Sequence, residues 1–320
     1  MQRYERQELY SNIGKLGQKQ LQKATICIVG VGALGTVSST LLARSGLNLI
    51  LIDRDFIELN NLQRQLMFNE SDIGKSKAYT AEEKLKQINS TIKIISHCTD
   101  LNYKNIELLA KGADIILGCT DNMESRFLIN NYSLKHKIPW IYGGAVADKG
   151  LLYNILPKDK KRACFRCIIK GSSGETCDTA GILNANSAII GSMMANEAIK
   201  IILDLPEQSL IHMNLWDNTH EKISVPKTKG CKACSGNYEY LSGDIYTKHA
   251  KLCGKGTYQI YGKKQDLTEL KKKLSKLDKV IMFKDILHFK ELTIFSDGRV
   301  FIKSESEPIA KSLYSKYVGN

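Results

Sequence analysis

The sequence has 320 residues, 43% of them hydrophobic, with 46 Lys and Arg against 33 Asp and Glu for a formal net charge of +13. That leaves room for one large domain, or one plus a small one, with a sizeable core. The apolar stretch Ala188 to Leu205 carries Asn196, Glu197 and Lys200, so no membrane span is expected, and Met1 to Arg6 lack the apolar core of a signal peptide. A cytoplasmic protein with no membrane partner is therefore expected. The positive charge reads as a lysine-rich solvated surface. No helix-turn-helix, RRM or aromatic–basic interleaving is visible, so no nucleic-acid partner is expected.

Residues 1–24 form a polar lead-in, with an amphipathic helix expected over 13–23. The organising stretch follows. Thr25 to Val29 is an apolar run, then come Gly30-Val31-Gly32-Ala33-Leu34-Gly35, a helix to Ser45, and a second apolar run, Leu49 to Ile52, ending at Asp53. That order is strand, glycine turn, helix, strand and terminal acid, the βαβ nucleotide-binding unit. Gly30, Gly32 and Gly35 would divide three tasks: the tight turn, backbone approach to phosphate, and close helix–strand packing. Asp53 would accept hydrogen bonds from ribose hydroxyls.

The glycine motif alone points to NAD and a dehydrogenase, which stays open as an alternative. The next residues argue otherwise. Asp53-Arg54-Asp55 is followed by Asn60-Asn61-Leu62-Gln63-Arg64-Gln65. A second acid and an Arg-bearing Asn/Gln segment suit a triphosphate, whose charge needs cationic and amide donors. Asp-x-Asp followed by Asn-Leu-Gln-Arg-Gln resembles the ThiF/MoeB adenylyltransferases, relatives of the ubiquitin-activating enzymes. The opening Arg3-Tyr4-x-Arg6-Gln7 also matches that family.

The resemblance implies an enzyme that uses Mg-ATP to adenylate the C-terminal glycine of a small ubiquitin-like sulfur-carrier protein. It implies a homodimer in which Arg6 reaches the neighbouring subunit's nucleotide site. Lys77, in the Gly74-Lys75-Ser76-Lys77 helix start, matches the lysine that contacts ATP phosphates. Asn60, Asn61, Gln63 and Arg64 would line the site, with Asp55 a second carboxylate near it. A MoaD-like carrier, from molybdenum cofactor biosynthesis, is placed first, and a ThiS-like carrier, from thiamine thiazole biosynthesis, is the alternative. A persulfide protein would donate the sulfur.

Short strands at 92–95 and 113–117, with a helix over 103–111 between them, continue a parallel sheet. The second strand ends in Gly118-Cys119-Thr120-Asp121-Asn122. A carboxylate at a strand's C-terminal end sits on the ligand edge of such a sheet, so Asp121 is the candidate for holding Mg²⁺; helix capping is its structural alternative. The Asp121-Asn122 pair also matches the family. A helix over 124–136, a strand at 139–142 and an antiparallel strand over 149–156 follow.

Of nine cysteines, four form two pairs, Cys164-x-x-Cys167 and Cys231-x-x-Cys234. Two such pairs predict a closed tetrahedral Zn²⁺ site with no open position for chemistry; a redox CxxC lacks thioredoxin-like context. A non-catalytic zinc scaffold is the other alternative to an enzyme. Cys27, Cys98 and Cys119 read as core thiols. Cys177 lies in the Gly-rich loop 174–181, where the resemblance implies a cysteine that can bond to the carrier or its sulfur. Asn184-Ala185-Asn186 departs from the family's Gly-Pro at that point. A long buried helix over 187–205 and closing strands at 210–216 and 222–225 complete the first region.

Residues 235–320 change composition to Lys- and Tyr-rich. Strands are expected at 258–261, 280–283, 292–295 and 300–302, with an Asp297-Gly298 hairpin turn and helices over 267–277 and 308–317. Leu252-Cys253-Gly254 and Asp297-Gly298-Arg299 resemble the tails of some bacterial MoeB-like chains. The whole predicts a Rossmann-like α/β adenylyltransferase domain over 1–236, with an antiparallel extension to its sheet, and a small α+β appendage over 237–320.

Overall fold

A computed structural model describes residues 3–169, 180–245 and 256–319. The chain forms two compact units, one of Met1–Ile73 with Lys77–Ile245 and one of Gly74–Ser76 with Tyr246–Asn320. Cys177, Cys253 and most of the loop 174–181 lie outside the described residues.

The first unit begins with helices α1 (Glu5–Glu8) and α2 (Gly14–Lys23). Then come β1 (Thr25–Val29), α3 (Ala33–Ser45), β2 (Asn48–Asp53), α4 (Lys77–Ile88), β3 (Ile94–Cys98), α5 (Ile106–Leu109) and β4 (Ile115–Gly118). Helix α6 (Met123–His136) leads to β5 (Trp140–Val146) and β6 (Lys149–Ile155). After α7 (Phe165–Ile168) and α8 (Asn184–Ile202) come β7 (Leu210–Asn214), β8 (Thr219–Ile223) and α9 (Glu239–Ser242).

The eight strands form one sheet in the order β3-β2-β1-β4-β5-β6-β7-β8. Strands β3, β2, β1, β4 and β5 run parallel, and β6, β7 and β8 add antiparallel. The parallel strands are near-continuous Ile, Leu and Val because both sheet faces are covered. One core holds Leu21, Leu42, Leu85, Ile190, Met194 and Ala198 against Ile26, Ile28, Leu49 and Leu51. The other holds Ile129, Tyr132 and Phe165 against Cys27, Val29, Ile50 and Ile52. Between the helices of the first face, α3 and α8 approach so closely that Gly191 would place a Cβ 2.9 Å from the Leu34 carbonyl oxygen. Among the described residues no helix is long and apolar enough to cross a membrane.

Several local expectations change: the strand expected at 92–95 lies at Ile94–Cys98, and the one expected at 222–225 lies at Thr219–Ile223. The helix expected over 103–111 shrinks to α5, four residues long, because Asn102 and Asn105 instead build a turn in which Asn105 Oδ1 accepts the Asn102 N–H at 2.8 Å. The departure at Asn184-Ala185-Asn186 is absorbed inside α8. The helix starts at Asn184, and Asn186, 1% exposed, donates to the Lys149 carbonyl at 2.8 Å.

The second unit contains β9 (Thr257–Tyr261), α10 (Leu267–Leu274), β10 (Ile281–Met282), β11 (Ile286–Phe289), β12 (Leu292–Phe295), β13 (Arg299–Lys303) and α11 (Glu307–Tyr317). Its antiparallel sheet has the order β10-β11-β12-β13-β9. Leu270 and Leu274 of α10 and Ala310 and Tyr314 of α11 pack on Leu287, Phe289, Ile294, Val300 and Ile302. The mixed α/β architecture is the one expected.

Candidate active site

In the sheet order, β1 is flanked by β2 on one side and β4 on the other, so the chain reverses its direction of travel at the β1/β4 pair. Ligands of open α/β sheets bind in the crevice outside the carboxyl ends at such a switch point. Three strand ends meet there, because Val29 pairs with both Ile52 and Gly118. They deliver the glycine turn, the Asp53 to Asp55 segment and the Thr120 to Asn122 segment to one edge.

The three glycines separate by geometry. Gly30 sits at φ +93°, where a Cβ would lie 2.7 Å from the Cys119 carbonyl oxygen. At Gly35 a Cβ would lie 2.0 Å from the Gly30 carbonyl oxygen, so helix and turn touch backbone to backbone. Among the described residues, and its chain neighbours aside, the one atom within 4 Å of a Cβ placed on Gly32 is the Gln65 Nε2, at 3.7 Å. Gly30 and Gly35 therefore build the turn, and Gly32 keeps open the space over the N-terminus of α3, where a helix dipole favours phosphate.

Asp53 is 9% exposed. Its Oδ2 accepts the Val31 N–H at 2.6 Å and its Oδ1 accepts the Asp55 N–H at 2.8 Å. The carboxylate thus pins the glycine turn to β2 and keeps further lone pairs for a ribose. Burial pushes its pKa up, while Lys77 opposes the shift. Lys77, 7% exposed, places Nζ 3.4 Å from Asp55 Oδ2. Burial acts to lower the Lys77 pKa, but Asp55, Asp53 and Asp121 outweigh it and hold the ammonium charged.

Arg54, to which residue type and spacing assign no role, bridges Asp55 at 3.7 Å and Asp100 at 3.2 Å. Four carboxylates (Asp53, Asp55, Asp100 and Asp121) act electrostatically on Arg54, and three of them on Lys77. Two cations thus face four acids in this cluster.

Asp121 is exposed, and it does not cap α6. That task falls to Asn122, whose Oδ1 accepts the Ser125 N–H at 2.8 Å and whose Nδ2 donates to Thr120 Oγ1 at 2.8 Å. Arg126 supports the same segment: its Nε and Nη2 donate to the Thr120 carbonyl at 3.1 and 2.9 Å, and its guanidinium lies 5.3 Å from the Tyr142 ring centre. The Arg126 signal was present in the sequence only as an arginine one turn into a helix, which by itself says nothing.

The Asn/Gln segment divides between buried and exposed positions. Asn61, 6% exposed, forms a reciprocal capping box with Glu58, and its Nδ2 donates to Asn60 Oδ1 at 2.8 Å. Asn60 and Gln63 are exposed, whereas Gln65 is buried beside Gly32. Arg64 is half-buried and donates to the Asn60 carbonyl at 3.0 Å. Arg6 is exposed on α1 and has no ion-pair partner among the described residues. Its neighbour Tyr4 anchors the segment, accepting from Asn89 Nδ2 at 2.8 Å and packing on Gly46, where a Cβ would come within 2.8 Å of the ring.

Away from this edge, Cys164, Cys167, Cys231 and Cys234 converge, all four sulfurs within 4.8 Å of one another. Three sulfur pairs lie at 3.8, 3.7 and 3.7 Å. A tetrahedral zinc with Zn–S of about 2.3 Å requires sulfurs about 3.8 Å apart, so the thiols already hold the spacing of the metal's coordination shell. Asn130, buried in α6, presents its Nδ2 to Cys164 Sγ at 3.8 Å and its Oδ1 to the Phe165 N–H at 3.0 Å. By contrast Cys27 and Cys119 are buried thiols outside this cluster, and burial pushes the pKa of each up to about 12.

A model of the ThiF family matches residues 4–234. The chain belongs to the ThiF family. Along 99% of both chains it is 34% identical to the sulfur carrier protein ThiS adenylyltransferase of Bacillus subtilis (strain 168). It is 31% identical to the protein of the same name from Escherichia coli (strain K12), over 73% of this chain and 95% of that one. Similarity to the adenylyltransferase and sulfurtransferase MOCS3 of Culex quinquefasciatus is 35%, over 73% of this chain and 55% of that one. Among solved structures, E. coli MccB with ATP superposes at a TM-score of 0.65 and 25% identity, covering 73% of this chain and 75% of that one. The ThiF-family match spans the first unit, and the Bacillus relative extends through the second as well.

Proposed function

We propose that this ThiF-family adenylyltransferase uses Mg-ATP to activate the C-terminal glycine carboxylate of a small ubiquitin-like sulfur carrier. The observation that carries the reading is the switch-point cluster: an open glycine turn at α3, Asp53 behind it, and Lys77 and Asp121 facing the same crevice. A carrier carboxylate is ionised at neutral pH and needs no general base. One of its oxygens attacks the α-phosphorus, and the bond from that phosphorus to the bridging oxygen breaks. Pyrophosphate leaves with the electron pair. Carrier acyl-adenylate and pyrophosphate are the products.

Both nucleophile and electrophile are anionic, so the protein's contribution is positioning and charge. The deficit of cations around Lys77 and Arg54 is what Mg²⁺ on Asp121, Arg64, and Arg6 from a second copy in a homodimer would make good. Asp55 holds Lys77 until a phosphate oxygen takes its place. Cys164, Cys167, Cys231 and Cys234 would hold a structural zinc, which would tie α7 to the 231–234 turn.

From the sequence a MoaD-like carrier is the first expectation and a ThiS-like carrier the alternative. The relative matched over its full length is named for ThiS, whereas the MOCS3 chains are matched over about half of theirs, so a ThiS-like carrier now takes first place. Pyrophosphate exchange into ATP, measured with and without each purified carrier, tests the reading. Carrier-dependent exchange is expected. Exchange that ignores every ubiquitin-like carrier, or reports only free amino acids or peptides, would refute it.

A further inference from the structure

The space over Gly32 is bordered by a group that no step above employs. Gln65 is 4% exposed, and its backbone is fixed on both sides: its N–H donates to the Asn61 carbonyl at 2.9 Å and its carbonyl accepts from Phe68 at 3.1 Å. Its side-chain Nε2 lies 3.7 Å from where a Gly32 Cβ would stand. Its Oε1 is buried with no hydrogen-bond partner among the described residues. A buried amide left unsatisfied works against folding, and such groups in native proteins ask for an explanation. Gln63, which the motif offers two residues earlier, is exposed, so the two glutamines are not interchangeable.

We infer that Gln65 is a nucleotide-binding residue of this site, its Nε2 donating to the phosphate that lies over Gly32 and its Oε1 accepting from water ordered around that phosphate and its metal. The inference rests on the proposed nucleotide site and adds a residue to it. The N–H groups at the start of the 13-residue α3 approach the phosphate from below. Gln65 would approach from the side and close the first coordination of an anion that Lys77 and Arg64 reach only through flexible stems. An amide is suited to this place. It supplies a donor without adding to the Lys77–Asp55–Arg54 charge cluster, and a carboxylate of the same shape would repel phosphate.

The test uses Gln65→Met, matched in length and apolar, with Gln65→Leu as a second variant should methionine pack poorly. Mg-ATP binding is measured by calorimetry, and melting of the nucleotide-free protein is followed in parallel. Losing one hydrogen bond to a charged group should weaken Mg-ATP binding about 10–100-fold. Melting without nucleotide should stay level or rise, because an orphaned polar group has been removed. Gln65→Glu should weaken binding further than either. Wild-type protein that binds Mg-ATP alongside variants binding within about threefold of it overturns the role of Gln65 alone. A lower melting temperature with unchanged affinity would make the amide structural and also overturns it. Wild-type protein that binds no Mg-ATP overturns the underlying nucleotide site instead.

Discussion

Lys77→Met separates the structural from the catalytic work of this lysine. The ammonium stands 3.4 Å from Asp55 Oδ2. At an effective dielectric of about 20, two unit charges at that spacing attract by about 5 kcal/mol before solvent is counted. The Asp55 side chain is 42% exposed and Lys77 only 9%. The pair therefore falls between the surface and the buried cases, and its loss should cost about 1–3 kcal/mol of stability. Methionine keeps the apolar stem, so packing contributes little. Asp53 shapes the pH dependence: burial raises its pKa and Lys77 lowers it, so the substitution raises it further. A carboxyl whose folded pKa lies above its unfolded value loses folding free energy as pH rises through the folded value. The deficit of Lys77→Met against wild type should then be larger at neutral than at mildly acidic pH. Urea melts measure this, and pyrophosphate exchange measures catalysis, expected to fall about 100–1000-fold. Adding Asp55→Asn should restore much of the stability and none of the exchange. Exchange within about threefold of wild type, or recovery of exchange in the double variant, would refute the assignment of Lys77 to the phosphates.

Four further outcomes are expected. Freshly purified protein should carry one zinc per chain by metal analysis, and Cys164→Ser should lose it together with stability; zinc-free protein that melts normally would refute the site. Asp121→Ala should reduce exchange about 100–1000-fold with little change in melting, because Asn122 and not Asp121 caps α6. Arg6→Ala chains mixed with Asp121→Ala chains should regain activity, since each heterodimer would contain one intact site; verified heterodimers without rescue would place Arg6 outside the site. Cys177→Ser should leave pyrophosphate exchange intact and lower the yield of carrier thiocarboxylate by mass spectrometry, whereas an unchanged yield would leave Cys177 without a role in sulfur transfer.

The parallel half of the sheet was legible because its strands are apolar runs bounded by glycine and acid. The four-cysteine cluster was legible because CxxC pairs carry their chemistry in their spacing. Strand β11 was missed: its run Ile286-Leu287-His288-Phe289 is four residues, and its turn to β12 uses Lys290 at φ +51°, a position where glycine or asparagine would have signalled a hairpin. Within the site, residue type named the segment but not the side chains. Whether Asn60, Asn61, Gln63 or Gln65 faces the crevice depends on a single reverse turn closed by Glu58 and Asn61, and a turn of that kind has no periodicity to read. Arg54 and Arg126 went unassigned for a related reason, since their partners Asp100 and the Thr120 carbonyl are brought to them by neighbouring strands or by a helix cap.

Intact-mass analysis of a purified ThiS-like carrier, incubated with this protein, Mg-ATP and pyrophosphatase, tests the central claim most directly. The carrier should gain one AMP less a water at its C-terminal glycine, and a carrier lacking that glycine should gain nothing. ATP binding with no adenylate on either a ThiS-like or a MoaD-like carrier would contradict the account.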